Sequence, residues 1–281
     1  MIRNRIMKIA YQGIPGSYSE SCAKKMYSNC ETISCKTFDE CFEKASEDSN
    51  VRCIIPESNK TTGNIGVEYL IFKYRLNIYA EHFFPINHNL LGINGSNLDD
   101  IKNVYSHAQA LSQSSSFIKQ HNLNENVRAD TAGSAKYIFN SNDKTKAAIA
   151  SELSAEIYNL KILKKNIQNE KNNVTRFLLM GKEIYQPELK KEDYITSFLF
   201  KLKSKPAALY SALSGFAING VNMTKLQSFP EQNSFSSFFF LCDIEGHIDD
   251  KKIKNSLEEL GLHCEDMHVL GVFISDKFRK K

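Results

Sequence analysis

The residues best suited to chemistry open one apolar run. In NNVTRFLLMG, Asn172 to Gly181, a polar trio of Asn173, Thr175 and Arg176 precedes Phe177, Leu178 and Leu179. The apolar positions, with Gly181 as a stop, read as a β-strand. A hydroxyl beside a guanidinium at a strand's start fits two descriptions. It belongs to a solvated edge strand, or to a strand that carries a hydrogen-bond donor and a charge into a cleft. Four further clusters of Gly, Ser, Thr or Asn stand where apolar runs give way to helical spacing. They are Gly16–Ser17–Ser19, Asn59–Thr61–Thr62–Gly63, Ser106–His107–Gln109 and Thr131–Gly133–Ser134. Each alone is ordinary helix capping. Converging at the carboxyl ends of strands in an open α/β sheet, they would surround a small dicarboxylate with helix N-termini. The unsatisfied N–H groups and positive dipole ends there favour anions.

Other chemistries find little support. The seven histidines do not pair at ligand spacing and there is no HExxH. The seven cysteines form no CxxC, and the five from Cys22 to Cys53 match no zinc pattern. No metal is expected, and the thiols read as small buried side chains of a reduced, intracellular protein. GIPGS, Gly13 to Ser17, lacks the third glycine and the later acidic residue of a dinucleotide turn. Neither GxSxG nor GxxxxGK[ST] occurs.

The chain has 281 residues, 42% hydrophobic and 24% charged, with a net charge of +4. That is a soluble, globular composition, long enough for one large or two ordinary domains. Basic residues are spread out, apart from a frayed-looking tail at Lys277, Arg279, Lys280 and Lys281. No nucleic-acid partner is expected. The longest uncharged run, Pro206 to Thr224, holds five Ser, Thr or Asn residues and two glycines, which is not a membrane span. MIRNRIMKIAYQG has no apolar segment long enough for export, so the expected location is the cytoplasm, or an organelle stroma if a targeting segment was removed.

The elements that must position these residues alternate. KIAYQ, RCIIP, NIYAE, NVRA and AAIA read as strands. Between them, ESCAKKMY, the stretch from Phe38, YLIFKYRL, the stretch after Ser106, DTAGSAKYIF and SELSAEIYNL carry helical spacing. Thr37 and Glu40 have the form of a capping box, and Ser151 that of an N-cap. This pattern predicts βαβ units and a mostly parallel sheet covered on both faces. Near Tyr185 the charged, proline-containing YQPELKKED reads as a linker. From Tyr194 onward the order is βαββαβ, a ferredoxin-like module.

IAYQGIPGSYSESCAKKMY, SHAQALSQ, DTAGSA, AAIAS and NVTRF together resemble, in this order, the prephenate dehydratase family, especially its arogenate dehydratase branch. The resemblance implies a fold: a two-lobed, periplasmic-binding-protein-like α/β catalytic domain, then a ferredoxin-like ACT domain. It places the catalytic domain at residues 1–185, with lobe one at about 1–83 and 163–185 and lobe two at about 84–162. The ACT domain spans 192–281. It also implies a cofactor-free reaction, because aromatisation of the ring drives it. Prephenate loses CO2 and water to give phenylpyruvate, or arogenate gives phenylalanine in the same way. Thr175, Arg176 and Phe177 are the implied catalytic stretch, with Thr175 assisting loss of the ring hydroxyl. Asn59, Ser106, His107, Gln109, Thr131 and Asn173 are the implied substrate-binding residues. The implied partners are the small-molecule substrate, phenylalanine as effector, and further copies of the chain in a homodimer or homotetramer.

The sequence departs from the family pattern in three places. PESNKTTG, Pro56 to Gly63, has Ser58 and Lys60 where the family has Glu and Ser. Ala108 stands in place of the proline of HPQ. In the effector motifs, PAAL (Ala207, Ala208, Leu209) stands for Pro-Gly-Ala-Leu and QSFP (Gln227, Ser228, Phe229) for Glu-Ser-Arg-Pro, while Asn222 persists. These changes predict weakened or altered phenylalanine feedback. Two rival readings are a non-catalytic amino-acid or dicarboxylate binding protein and a regulatory subunit without activity.

Overall fold

The computed structural model describes residues 6–231, 234 and 237–280. The basic start Met1–Arg5, the first two residues of the strand expected from Phe235, and Lys281 of the tail lie outside the described residues. By mutual contacts the chain divides into two units. One holds Met1–Cys41, Ile54–Ile65 and Phe83–Phe177; the other holds Phe42–Cys53, Gly66–His82 and Leu178–Lys281.

The chain begins with β1 (Lys8–Gln12), α1 (Tyr18–Met26), β2 (Glu31–Cys35), α2 (Phe38–Glu47), β3 (Val51–Asn59), β4 (Gly63–Asn64), α3 (Glu68–Tyr74) and β5 (Asn77–Pro85). α1 starts at Ser17, whose hydroxyl accepts from the Glu20 N–H at 3.3 Å. Glu20 in the first turn and Lys24 and Lys25 in the last suit the helix dipole. At the start of α2, Thr37 accepts from the Glu40 N–H at 3.1 Å, while the Glu40 carboxylate accepts from the Lys36 N–H at 2.7 Å. The expected box therefore forms with its return bond one residue earlier.

β3 corrects one expectation. It runs three residues past RCIIP to Asn59, then folds back as an antiparallel hairpin onto β4. The Asn59–Thr61–Thr62–Gly63 cluster is a hairpin turn, not a helix start. Gly63, at φ 79°, takes the left-handed conformation that lets so short a reversal close.

After β5 come β6 (Asn89–Gly92), β7 (Asn103–Ser106), α4 (Ala108–Gln113), α5 (Ser115–Gln120), β8 (Asn124–Val127), α6 (Thr131–Ser141), β9 (Lys146–Ala150), α7 (Glu152–Ile157) and β10 (Lys161–Lys164). β11 (Val174–Gly181) then joins the first sheet, whose order is β2-β1-β3-β11-β5, with β4 on β3. β11 is an inner strand, buried at every position, so the edge-strand description fails. The second sheet has the order β10-β6-β9-β7-β8. It is mixed rather than mostly parallel: β7 runs parallel to β8 and β9, but β6 is antiparallel to both β9 and β10. Apolar side chains cover both faces of this sheet. Leu90, Val104, Ala147 and Ile149 pack with Leu111 and Ile118, and Leu91, Ala148 and Ala150 pack with Ala135 and Ile138.

The C-terminal module comprises β12 (Tyr194–Leu202), α8 (Ala208–Ile218), β13 (Met223–Pro230), β14 (Phe238–Glu245), α9 (Lys251–His263) and β15 (Cys264–Ile274). Its antiparallel sheet has the order β13-β14-β12-β15, the ferredoxin-like arrangement. Phe198, Phe200, Phe216, Ile244, Ile253, Leu257 and Leu260 form its core. The basic tail is not frayed at Arg279. Its guanidinium donates to both oxygens of the buried Glu81 carboxylate, at 2.6 and 2.8 Å. A buried carboxylate requires such a partner. Among the described residues, no helix is long and apolar enough to cross a membrane.

Candidate active site

Alternation along β11 sorts the polar trio. Thr175 and Phe177 face a cleft of about 1090 Å³, which Asn59, His107, Gln109 and Thr131 also line. Arg176 points to the other face, where its guanidinium lies 3.4 Å from the Glu57 carboxylate and both side chains are buried. Asn173 is buried behind the cleft and reaches it through hydrogen bonds. Ser106 does not line the cleft; its hydroxyl is fully buried and donates to the Ile149 carbonyl at 2.6 Å. Phe177 packs edge-on against Phe84, with ring centroids 6.2 Å apart.

The loop before α1 forms part of the wall. Gly16 approaches α7 so closely that a Cβ there would lie 2.6 Å from the Ser154 hydroxyl and 3.0 Å from its Cα. In exchange the Gly16 carbonyl accepts from Ser151 at 2.5 Å and Ser154 at 2.8 Å. The glycine in GIPGS thus serves close packing. Ser151 caps α7 as expected, accepting from the Ser154 N–H. α4 starts at His107, whose Nδ1 accepts from the Gln109 N–H, and α6 starts at Asp130, which accepts from the Gly133 N–H.

Behind the cleft wall runs a chain of neutral polar groups whose directions are set from the backbone. The N–H groups of Thr61 and Thr62 donate to Asn59 Oδ1, at 2.9 and 3.2 Å. A backbone N–H can only donate, so this atom is the amide oxygen. Asn59 Nδ2 therefore donates to Thr175 Oγ1 and to Asn173 Oδ1, both at 2.8 Å. Asn173 Nδ2 in turn donates to Gln113 Oε1 at 2.9 Å. Gln113 Nε2 donates to the Thr61 hydroxyl, and Gln109 Nε2 to the Thr62 hydroxyl, each at 2.9 Å. The consequence falls on Thr175, whose hydroxyl oxygen accepts from the Asn59 amide.

The chain extends further than the sequence motifs. His88 Nε2 lies 2.8 Å from Gln113 Oε1, and His88 Nδ1 lies 2.7 Å from the Tyr18 hydroxyl. Burial lowers the His88 pKa, partly offset by the bond to Gln113, and burial raises that of the Tyr18 phenol. Tyr18, His88 and Gln113 all line the cleft. Sequence reasoning missed these three as site residues. Gln113 had a signal: it lies four residues after Gln109, on the same face of a helix. His88 had none, because INHN carries no periodicity. Lys36, Glu40 and Asp130 are charged residues of the cleft wall. Among the described residues, no group of three His, Cys, Asp or Glu side chains is placed to hold a metal ion. The effector-motif residues Ala207, Ala208, Leu209, Asn222, Gln227 and Ser228 belong to the C-terminal module. Ala207 caps α8 at φ 58°, a left-handed conformation, and Asn222 accepts from the Glu245 N–H through its carbonyl. Gln227 Nε2 donates to the Ser228 carbonyl at 3.2 Å.

Residues 9–184 match the model of a protein family described as prephenate dehydratase. Among curated proteins, the chain is 37% identical to arogenate dehydratase 2 of Petunia hybrida, over 96% of this chain and 72% of that protein. It is 34% identical to a bifunctional N-acyl-homoserine lactone acylase/prephenate dehydratase of Komagataeibacter europaeus, over 97% of this chain and 98% of that protein. Among solved structures, the prephenate dehydratase of Arthrobacter aurescens, in complex with L-Phe, superposes with a TM-score of 0.85. That match covers 96% of this chain and 90% of that one at 24% identity, a likeness of fold.

Proposed function

Because this chain belongs to the prephenate dehydratase family, we propose that it catalyses the decarboxylating dehydration of prephenate or arogenate, with Thr175 as donor to the leaving hydroxyl. The bond from the ring to its carboxylate breaks and CO2 departs. The electron pair enters the ring as the C4–O bond breaks. The leaving oxygen takes a proton from Thr175 and departs as water, and solvent returns the proton to Thr175. Hydroxide leaves poorly unprotonated, and a positioned donor typically contributes ~10²–10⁴-fold. The single observation that carries this reading is the Asn59 amide, which donates to Thr175 Oγ1 at 2.8 Å and so leaves the threonine proton for the cleft. A neutral threonine is a weak acid, so the fixed direction of its hydroxyl matters more than its acidity. His107, Gln109 and Thr131 are the substrate contacts in this reading. Arg176, turned toward Glu57, holds the strand rather than the substrate. Residues 1–185 are the catalytic part and 192–281 the regulatory part.

The test is turnover of prephenate by the purified chain, followed by the alkaline absorbance of phenylpyruvate, with arogenate run in parallel and phenylalanine detected. Thr175→Ala lowers kcat by ~10²-fold or more and Thr175→Ser retains most of it. Full activity of Thr175→Ala removes the proposed role.

Phenylalanine regulation is weakened in this reading. Ala207 puts a methyl group where the family's motif has glycine, and Gln227 and Phe229 remove the Glu and Arg of its second motif. Equilibrium dialysis with labelled phenylalanine reads this directly: weak or no binding is expected, and tight binding with strong inhibition overturns it.

A further inference from the structure

We propose that His88 is a positioning residue: a neutral imidazole with its proton on Nε2, which donates to the Gln113 oxygen and so braces the far end of the chain that the Thr61 and Thr62 N–H groups orient, steadying Asn173 and the Asn59 amide beneath Thr175. The proposal rests on the dehydratase reading for its consequence in catalysis, but its structural content stands apart from that reading.

The direction of the chain reaches His88 from the far end. Thr61 and Thr62 N–H groups fix Asn59, Asn59 fixes Asn173, and Asn173 fixes Gln113 with its oxygen toward His88. An amide oxygen 2.8 Å from His88 Nε2 requires a proton on that nitrogen. Rotating the Gln113 amide would set its NH2 against the NH2 of Asn173. Nδ1 is then the acceptor for the Tyr18 hydroxyl at 2.7 Å, which is shorter than the 3.1 Å from that hydroxyl to the Asn87 carbonyl. Burial keeps the phenol protonated and disfavours the imidazolium, which agrees with this assignment.

The surroundings of His88 are neutral. From α1 it faces Tyr18, from α4 Gln113, and from the segment after β10 Gln168, whose oxygen accepts from the His88 N–H at 3.0 Å. His107, Lys36, Glu40 and Asp130 line the same cleft. A donor with no net charge at this point holds Gln113 without a second anion or cation competing for the amide. The Gln113 oxygen is shared by His88 and Asn173, so removing His88 leaves that oxygen with Asn173 as its one donor, while the NH2 keeps its bond to the Thr61 hydroxyl.

The experiment uses the full chain labelled with 15N at histidine. Long-range 1H–15N correlation at pH 7, with the His88 signals identified by their loss in His88→Gln, is expected to give a protonated Nε2 and an unprotonated Nδ1. A proton on Nδ1, or an imidazolium at pH 7, overturns the proposal whatever the enzyme turns over. Kinetics then separate position from mere filling of space. Gln carries an N–H donor at the reach of Nε2 and Leu does not. His88→Leu is expected to lower kcat about tenfold, the effect of one buried hydrogen bond, with little change in KM, while His88→Gln stays within about threefold of wild type. In a Thr175→Ala background, His88→Leu adds no further loss, because the two act through one hydroxyl. Equal loss in Leu and Gln variants, or additive losses with Thr175→Ala, overturns the proposal. Failure of the wild-type chain to turn over prephenate or arogenate refutes instead the dehydratase reading, and the histidine spectrum still decides the proton's place.

Discussion

Thr175 and Arg176 are neighbours in sequence and strangers in space. One peptide step along β11 turns the hydroxyl into the cleft and the guanidinium onto Glu57, with both charged partners buried. Arg176→Leu therefore leaves the Glu57 carboxylate without its guanidinium. Breaking a buried ion pair by removing one partner costs about 3–5 kcal/mol. Thermal unfolding of Arg176→Leu should show a clearly lower Tm, and an unchanged Tm would refute the pairing's structural weight. The sequence motif could not tell which of these side chains turns to the cleft, since a TRF triplet carries no label for its faces until the strand is placed in a sheet. His88 and Tyr18 were beyond reach for a different reason. His88 belongs to no cluster and Tyr18 is the aromatic residue inside Gly16–Ser17–Ser19, and each acquires its interest from a partner far along the chain, Gln113 for one and His88 for the other.

The strands and helices that sequence spacing recovered are those with a full period of apolar residues. β1, β9, β12 and α6 stand where their patterns predicted them. β6 and β10 were not foreseen. They have four residues each, and β10 begins and ends with lysine, so neither spans enough positions to establish a period. β8 lies two residues earlier than NVRA implied. The Asn59 hairpin was read as a helix start because capping helices and closing turns draw on the same Gly, Ser, Thr and Asn residues. At α8 the element carries a cost visible in its backbone. Ala207 sits at φ 58° with no side-chain cap. An L-residue with a Cβ pays roughly 1–2 kcal/mol in that conformation, and glycine recovers part of it. Ala207→Gly should raise the unfolding midpoint in denaturant, by about 0.5–1 kcal/mol in stability after glycine's larger chain entropy is counted. A fall in stability would contradict the backbone assignment.

At the scale of the molecule, the candidate site is an achievement of folding. Asn59 meets Asn173 and Thr175 across 114 and 116 residues of chain. Gln113 meets Asn173 across 60. No local pattern announces such meetings, which is why the direction of these hydrogen bonds had to come from three-dimensional structure. The account's central claim concerns that direction, and Asn59→Asp tests it most directly because it changes one NH2 to an oxygen at nearly constant shape. An aspartate keeps the bonds from Thr61 and Thr62 but can only accept from Thr175, drawing the hydroxyl proton away from the cleft. The account predicts that kcat for prephenate or arogenate falls by ~10²-fold or more while the circular dichroism spectrum is unchanged. Activity of Asn59→Asp within about threefold of wild type would contradict it, since Thr175 would then be working without the orientation on which the mechanism depends.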